Sequence, residues 1–185
     1  AGPWNGVDTS VFRPGAGRVG RREVIRICWI GRLVPEKNAQ LLPHLAAALR
    51  ARGVDFELVV IGDGPLAPML QRTMHAGSGA LLRGWLAPEA VAAALRDSDV
   101  YLSLSDTESY SLTASEALAS GVPVIAPDVI GFRRLAAMDV GRLFPAAWLR
   151  PEGMREVAGE IVAAIPRLDG WAARARAEAP RLSWD

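Results

Sequence analysis

Only one cysteine, Cys28, is present in this chain of 185 residues, so no internal disulfide can form and the fold must rest on a packed core. Cys28 lies inside the apolar run V-I-R-I-C-W-I at 24–30 and reads as a small buried hydrophobe rather than a reactive thiol. Histidine is nearly as scarce. His44 and His75 make no recognisable ligand spacing with one cysteine, and no metal is expected. The D-x-D triplet Asp97-Ser98-Asp99 reads as the end of a helix and the start of a strand. Long apolar runs are missing too: no stretch of about 18 such residues and no leader-like segment is visible, so no transmembrane segment is expected. The compartment expected is the cytoplasm, with peripheral attachment to a membrane left open for a longer protein. The net charge is +1, which gives no reason to expect nucleic acid as a partner. The G-x-G-x-x-G spacing of dinucleotide-binding turns is absent as well; Gly62-Asp63-Gly64-Pro65 is followed closely by Pro68.

What is present is apolar material for a full core, half of all residues, distributed in alternating short and long periods. Strands are expected at 24–30, 56–61, 79–83, 100–104, 122–126 and 141–145, with helices at 41–52, 66–75, 88–96, 112–119, 151–165 and 168–179. Pro43 fits the first turn of its helix and Pro88 the start of another, where no N–H is needed. Strand–helix alternation over 24–145 points to a doubly wound, mainly parallel α/β sheet with helices on both faces.

The chemistry concentrates in two places. The first is D-T-E-S-Y-S-L-T-A-S-E-A-L-A-S-G-V-P-V-I-A-P (106–127). Glu108 stands in the loop ahead of a helix and Glu116 about one turn inside it. The helix N-terminus between them offers unpaired N–H groups and a partial positive charge, which suits a phosphate. Plainer readings exist: Thr113-Ala-Ser-Glu116 also fits a capping box, and Glu108 also fits a solvated loop. The second place is Gly31-Arg32-Leu33-Val34-Pro35-Glu36-Lys37, a strand-end loop with two cations. Taken alone these could be solvated; over the C-terminal edge of an open sheet they would meet a ligand.

The segment E-S-Y-S-L-T-A-S-E-A-L-A-S-G-V-P-V-I-A closely resembles the E-x7-E segment of the retaining family-four glycosyltransferases of GT-B fold. In that family it is written E-(G/S)-F-G-(L/I)-x-x-x-E-A-M-A-x-G-x-P-V-I-A. G-R-L-x-x-x-K similarly resembles the family's diphosphate-binding loop. The resemblance implies the donor-binding, Rossmann-like C-terminal half of such an enzyme. Glu108 would contact the donor sugar, Glu116 the ribose, and the backbone at Tyr110, Ser111, Leu112 and Thr113 the sugar and diphosphate. Arg32 and Lys37 would neutralise the leaving diphosphate, so that Glu108, Arg32 and Lys37 carry catalysis. Gly84-Trp85-Leu86 takes the position that contacts the base in relatives, although on general grounds Trp85 reads as core. The expected ligand is a UDP-, GDP- or ADP-linked hexose, with no cofactor besides that donor substrate.

Two departures stand out. Ser111 replaces the usual glycine and would crowd the sugar. In Asp128–Leu135 the family's adjacent glycines and following glutamate give way to Ile130 and Arg134, so no role is assigned to that loop. Residues 1–22, with N-G-V-D-T-S-V-F-R-P at 5–14, resemble the lead-in between the family's two domains; 23–166 would be the nucleotide-sugar domain and 167–185 a C-terminal helix. Relatives continue past the Ser183-Trp184 position, so both ends read as cuts through a longer protein whose N-terminal acceptor domain is the missing partner. Alternatives weighed are a sugar-nucleotide epimerase, a nicotinamide dehydrogenase and a nucleotide-binding module without catalysis.

Overall fold

The computed structural model describes residues 6–15, 23–74 and 77–183. Expectations that fell on Asn5, residues 16–22, His75 and Trp184 lie outside the described residues.

Among the described residues six strands form one all-parallel sheet: β1 (Ile25–Ile30), β2 (Phe56–Ile61), β3 (Ala80–Gly84), β4 (Val100–Leu102), β5 (Val124–Pro127) and β6 (Gly141–Phe144), ordered β3-β2-β1-β4-β5-β6. The helices are α1 (Leu42–Ala51), α2 (Ala67–Thr73), α3 (Pro88–Arg96), α4 (Leu112–Ala119), α5 (Arg133–Met138), α6 (Met154–Ala164) and α7 (Leu168–Glu178). The expected doubly wound topology is therefore present, and wholly parallel.

Strand alternation sorts the core into two layers. Ile25, Ile27, Trp29, Leu58, Val60, Val100, Leu102 and Ile125 face one layer, filled by α1, α2 and α6 through Leu45, Leu49, Leu70, Val157 and Ile161. Cys28, Val59, Ile61, Tyr101, Val124 and Ala126 face the other, covered by α3, α4 and α5 through Leu95, Ala114, Leu118 and Leu135. Each buried aliphatic side chain contributes about 1.5–3 kcal/mol. Cys28 is fully buried, and desolvation pushes its thiol up to about 12, the inert state expected of it. Asp99 serves structure, as expected, since its Oδ2 accepts the Arg26 N–H at 2.8 Å and fixes the start of β4 to β1.

Strand ends differ from the sequence-based limits by a residue or two. Pro123 stands just before β5 rather than inside it, and its carbonyl still accepts from Tyr101 N–H. The expected helix 151–165 begins and ends in 3-10 turns, Pro151–Gly153 and Ile165–Arg167. Within the described stretch 6–15, Val7 and Phe12 are buried, and Val7 bridges Ser183.

Candidate functional site

Every strand ends on the same edge, and the sheet order reverses direction between β1 and β4, the place where open parallel sheets bind ligands. Two adjoining cavities lie there, sharing Ile30 and Gly31 at their walls.

The first, about 230 Å³, is lined by polar groups from the loops after β1 and β4. Lys37 closes a 3-10 turn, Pro35–Lys37, and is followed by Asn38 in the left-handed conformation at φ 54, a region asparagine tolerates better than most residues. The buried Asn38 amide donates to the Leu104 carbonyl at 2.9 Å, tying the Lys37 turn to the end of β4. Lys37 Nζ then donates to Glu108 Oε2 at 3.1 Å and to Ser105 Oγ at 3.3 Å. Glu108 Oε1 accepts the Ser111 N–H at 3.1 Å.

Ser111, not Thr113, begins α4. Its φ is 56, and its Oγ accepts the Ala114 N–H at 3.3 Å. The capping-box reading of Thr113 and Glu116 fails, because Thr113 already lies within the helix. Backbone geometry gives a reason for the glycine usual at position 111: a positive φ strains any residue with a Cβ. Here the side chain that was expected to crowd the sugar is used as a cap. With the Ser111 and Ala114 amides occupied, the Leu112 and Thr113 N–H groups remain at the tip of α4, on residues that line the cavity.

The second cavity, about 380 Å³, is mainly apolar: Phe12, Ile30, Ile61, Trp85, Leu86, Pro88 and Val91, with Arg32, Asp63 and Glu116 at its walls. The general expectation that Trp85 is core is wrong. Trp85 is 74% exposed, because Gly84 turns the chain at φ 65 and sends it along the cleft. Leu86, half-buried, stands beside it. Glu116 is half-buried, and desolvation raises its carboxyl above the ordinary value. The close approach of the two β-loops requires Gly62, where a Cβ would strike the Gly31 carbonyl.

Nine residues were singled out from the sequence as site residues. Lys37, Glu108, Ser111, Leu112 and Thr113 line the polar cavity; Arg32, Leu86 and Glu116 line the apolar one. The two cations expected to act together thus belong to neighbouring compartments five residues apart in sequence. Tyr110 lines neither, and stacks instead beneath Arg134, whose guanidinium carbon is 3.9 Å from the ring centroid. Sequence reasoning overlooked Asn38, Ser103, Ser105 and Asp63, and gave no role to the loop that carries Gly131 and Arg134. Gly131 N–H donates to the Glu108 carbonyl at 2.9 Å, and a Cβ on Gly131 would collide with that carbonyl. The lone glycine in that loop was the available signal. Among the described residues no group of three or more His, Cys, Asp or Glu could hold a metal ion, and no helix is long and apolar enough to cross a membrane.

Residues 24–164 match the family described as glycosyl transferases group 1. The chain belongs to that family. This group 1 glycosyl transferase domain is 39% identical over 142 residues to a GDP-mannose-dependent alpha-mannosyltransferase of Mycolicibacterium smegmatis, covering 71% of this chain and 35% of that protein. It is 33% identical over 180 residues to a GDP-mannose-dependent alpha-(1-6)-phosphatidylinositol dimannoside mannosyltransferase of Mycobacterium tuberculosis, covering 94% of this chain and 46% of that one. Its fold superposes on the crystal structure of the C-terminal domain of a glycosyl transferase group 1 family protein from Francisella tularensis with a TM-score of 0.73 at 21% identity, over 97% of this chain and 100% of that one. The fold is one half of a GT-B fold, and the chain spans between a third and a half of the length of these curated relatives.

Proposed function

We propose that this domain holds the nucleotide-sugar donor of a retaining hexosyltransferase, with GDP-mannose the first donor to test. The observation that carries the reading is the convergence of Lys37, Glu108 and the free amides of α4 on one cavity, beside an apolar cleft sized for a base. In the reaction, the bond between the anomeric carbon and the diphosphate oxygen breaks, and its electron pair leaves with the nucleoside diphosphate. An acceptor hydroxyl oxygen forms the new bond and releases its proton. Lys37, Arg32 and the Leu112 and Thr113 amides stabilise charge growing on the phosphate oxygens, as fixed donors aimed at developing charge do. Glu108 orients the sugar hydroxyls. Glu116 accepts from the ribose hydroxyls, and the base lies against Trp85 and Leu86. Guanine is supported by Asp63: one carboxylate oxygen accepts the Gly64 N–H at 2.7 Å, and the other can accept donors on the guanine edge. Metal and cofactor are not required by this scheme, because the cations and amides supply the positive field.

The acceptor, and any base that takes its proton, would come from the rest of the protein. The relatives named for phosphatidylinositol dimannoside make a glycolipid acceptor at a membrane surface the first class to try. Titration calorimetry of this chain with GDP, UDP and ADP tests the donor reading. GDP should bind, more tightly than the others, and the domain alone should transfer no sugar. A chain indifferent to all three nucleotides is not a donor domain.

A further inference from the structure

Arg134 lies outside both cavities, on α5, yet it touches both sides of the most constrained residue in the site. Its guanidinium is stacked 3.9 Å from the centroid of Tyr110, the residue before Ser111. Its Nη2 donates to Ser115 Oγ at 2.6 Å, and Ser115 Oγ donates in turn to the Ser111 carbonyl at 3.1 Å. Ser111 itself is held at φ 56. A left-handed residue bearing a Cβ persists only where its surroundings over-determine it. Four hydrogen bonds do so here: the Glu108 carboxylate on the Ser111 N–H, the Ser115 hydroxyl on its carbonyl, its own Oγ on Ala114, and the Ser115 N–H on the same carbonyl. Arg134 supports the second directly and fixes Tyr110 against slipping. The same segment anchors the first, through Gly131 and the Glu108 carbonyl.

We propose that Arg134 is a positioning residue of the donor site, clamping the Tyr110–Ser111 turn so that the Leu112 and Thr113 amides stay at the phosphate end of the polar cavity. The role rests on reading that cavity as the phosphate subsite. It needs the flat guanidinium: a lysine ammonium can neither lie across the ring in the same way nor supply an in-plane N–H to Ser115 at the same time. The residue adds no contact to the ligand. It makes the amide pair ready before the ligand arrives.

The test is calorimetric titration of GDP into the wild-type chain, R134A, R134K, Y110L and the R134A/Y110L double variant, with guanosine followed by NMR shifts. R134A should weaken GDP about tenfold, as expected when a cation–aromatic clamp is lost, while guanosine, which has no phosphate, binds as before. R134K should recover less than half of that loss. Because Arg134 acts through Tyr110, the double variant should lose little more than R134A alone. Should R134A fail to fold, S115A removes only the hydroxyl link and should still weaken GDP about threefold. Unchanged GDP affinity in R134A, equal losses for GDP and guanosine, or losses that multiply in the double variant would each overturn the role. A wild-type chain that binds no nucleoside diphosphate removes the donor reading and this inference together; one that binds while R134A and S115A match it removes only the inference.

Discussion

The two cavities on the strand-end edge are neighbours built on opposite principles. The polar one draws its wall from turns whose hydrogen bonds already close on one another: Lys37 to Glu108, Glu108 to Ser111, Asn38 to Leu104. The apolar one is an open cleft whose principal aromatic, Trp85, is mostly exposed, with a half-buried carboxylate, Glu116, at its wall. The contrast shows that charge needs pre-organisation and apolar surface does not. A phosphate recognised by cations and amides gains most where the loops that carry those groups are already positioned. A base gains by contact area and tolerates a loosely shaped groove.

The widest gap between the compartments should appear with Lys37→Ala. Loss of a charge-assisted contact in the polar cavity should weaken GDP about thirty- to a hundredfold and leave guanosine nearly unaffected; calorimetry on both ligands checks this. Trp85→Ala is the counterpart in the apolar cleft. Stacking lost from one base costs about tenfold in affinity, and guanosine and GDP should suffer alike. The melting temperature should hold, because the indole is exposed. If Trp85→Ala instead lowers stability and spares binding, the division between compartments fails.

Glu108→Gln sharpens the polar side. On the donor reading phosphate would compete with Glu108 for Lys37, so removing the charge should tighten free GDP about threefold to fivefold. The sugar's added affinity, measured as GDP-mannose against GDP, should fall. A loss for both ligands would mean that Glu108 only holds the turn.

The smallest effect is on stability. Burial raises the Glu116 carboxyl, so the folded state binds its proton more tightly than the unfolded one. Stability therefore falls as pH rises from the ordinary glutamate value through the raised one, and the cost persists above it. Glu116→Gln should raise the melting temperature at neutral pH by about a few degrees, with the gain disappearing in acid; on the donor reading GDP should also weaken about threefold, as a charged acceptor for the ribose hydroxyls becomes a neutral amide. A melting temperature unchanged at both pH values would contradict the burial of that carboxylate.

Much of the fold was legible because strand and helix periods are local. β2, α3 and α4 fall where the apolar pattern and the prolines put them. The line of Glu108, Glu116, Arg32 and Lys37 was legible through its resemblance to a known segment. The capping-box alternative was open because Thr113 and Ser111 are equally good caps by residue type, and only the backbone angle at Ser111 chooses between them. Trp85 was misread because a tryptophan's preference for burial says nothing about a chain that Gly84 turns outward.

By itself, then, the sequence determined the alternating layers and the parallel sheet, which follow from local spacing and from which residues can be buried, and, through resemblance to known segments, the set of charged side chains near the strand ends. Tertiary structure alone decided which of those side chains share a cavity. Lys37 meets Glu108 across 71 residues of chain, and Arg134 reaches back to Tyr110 from α5, a helix in a stretch that the sequence reading took as a loop without a role. Such meetings depend on the order of strands in the sheet and on the turns between them, quantities set by the packing of the whole core.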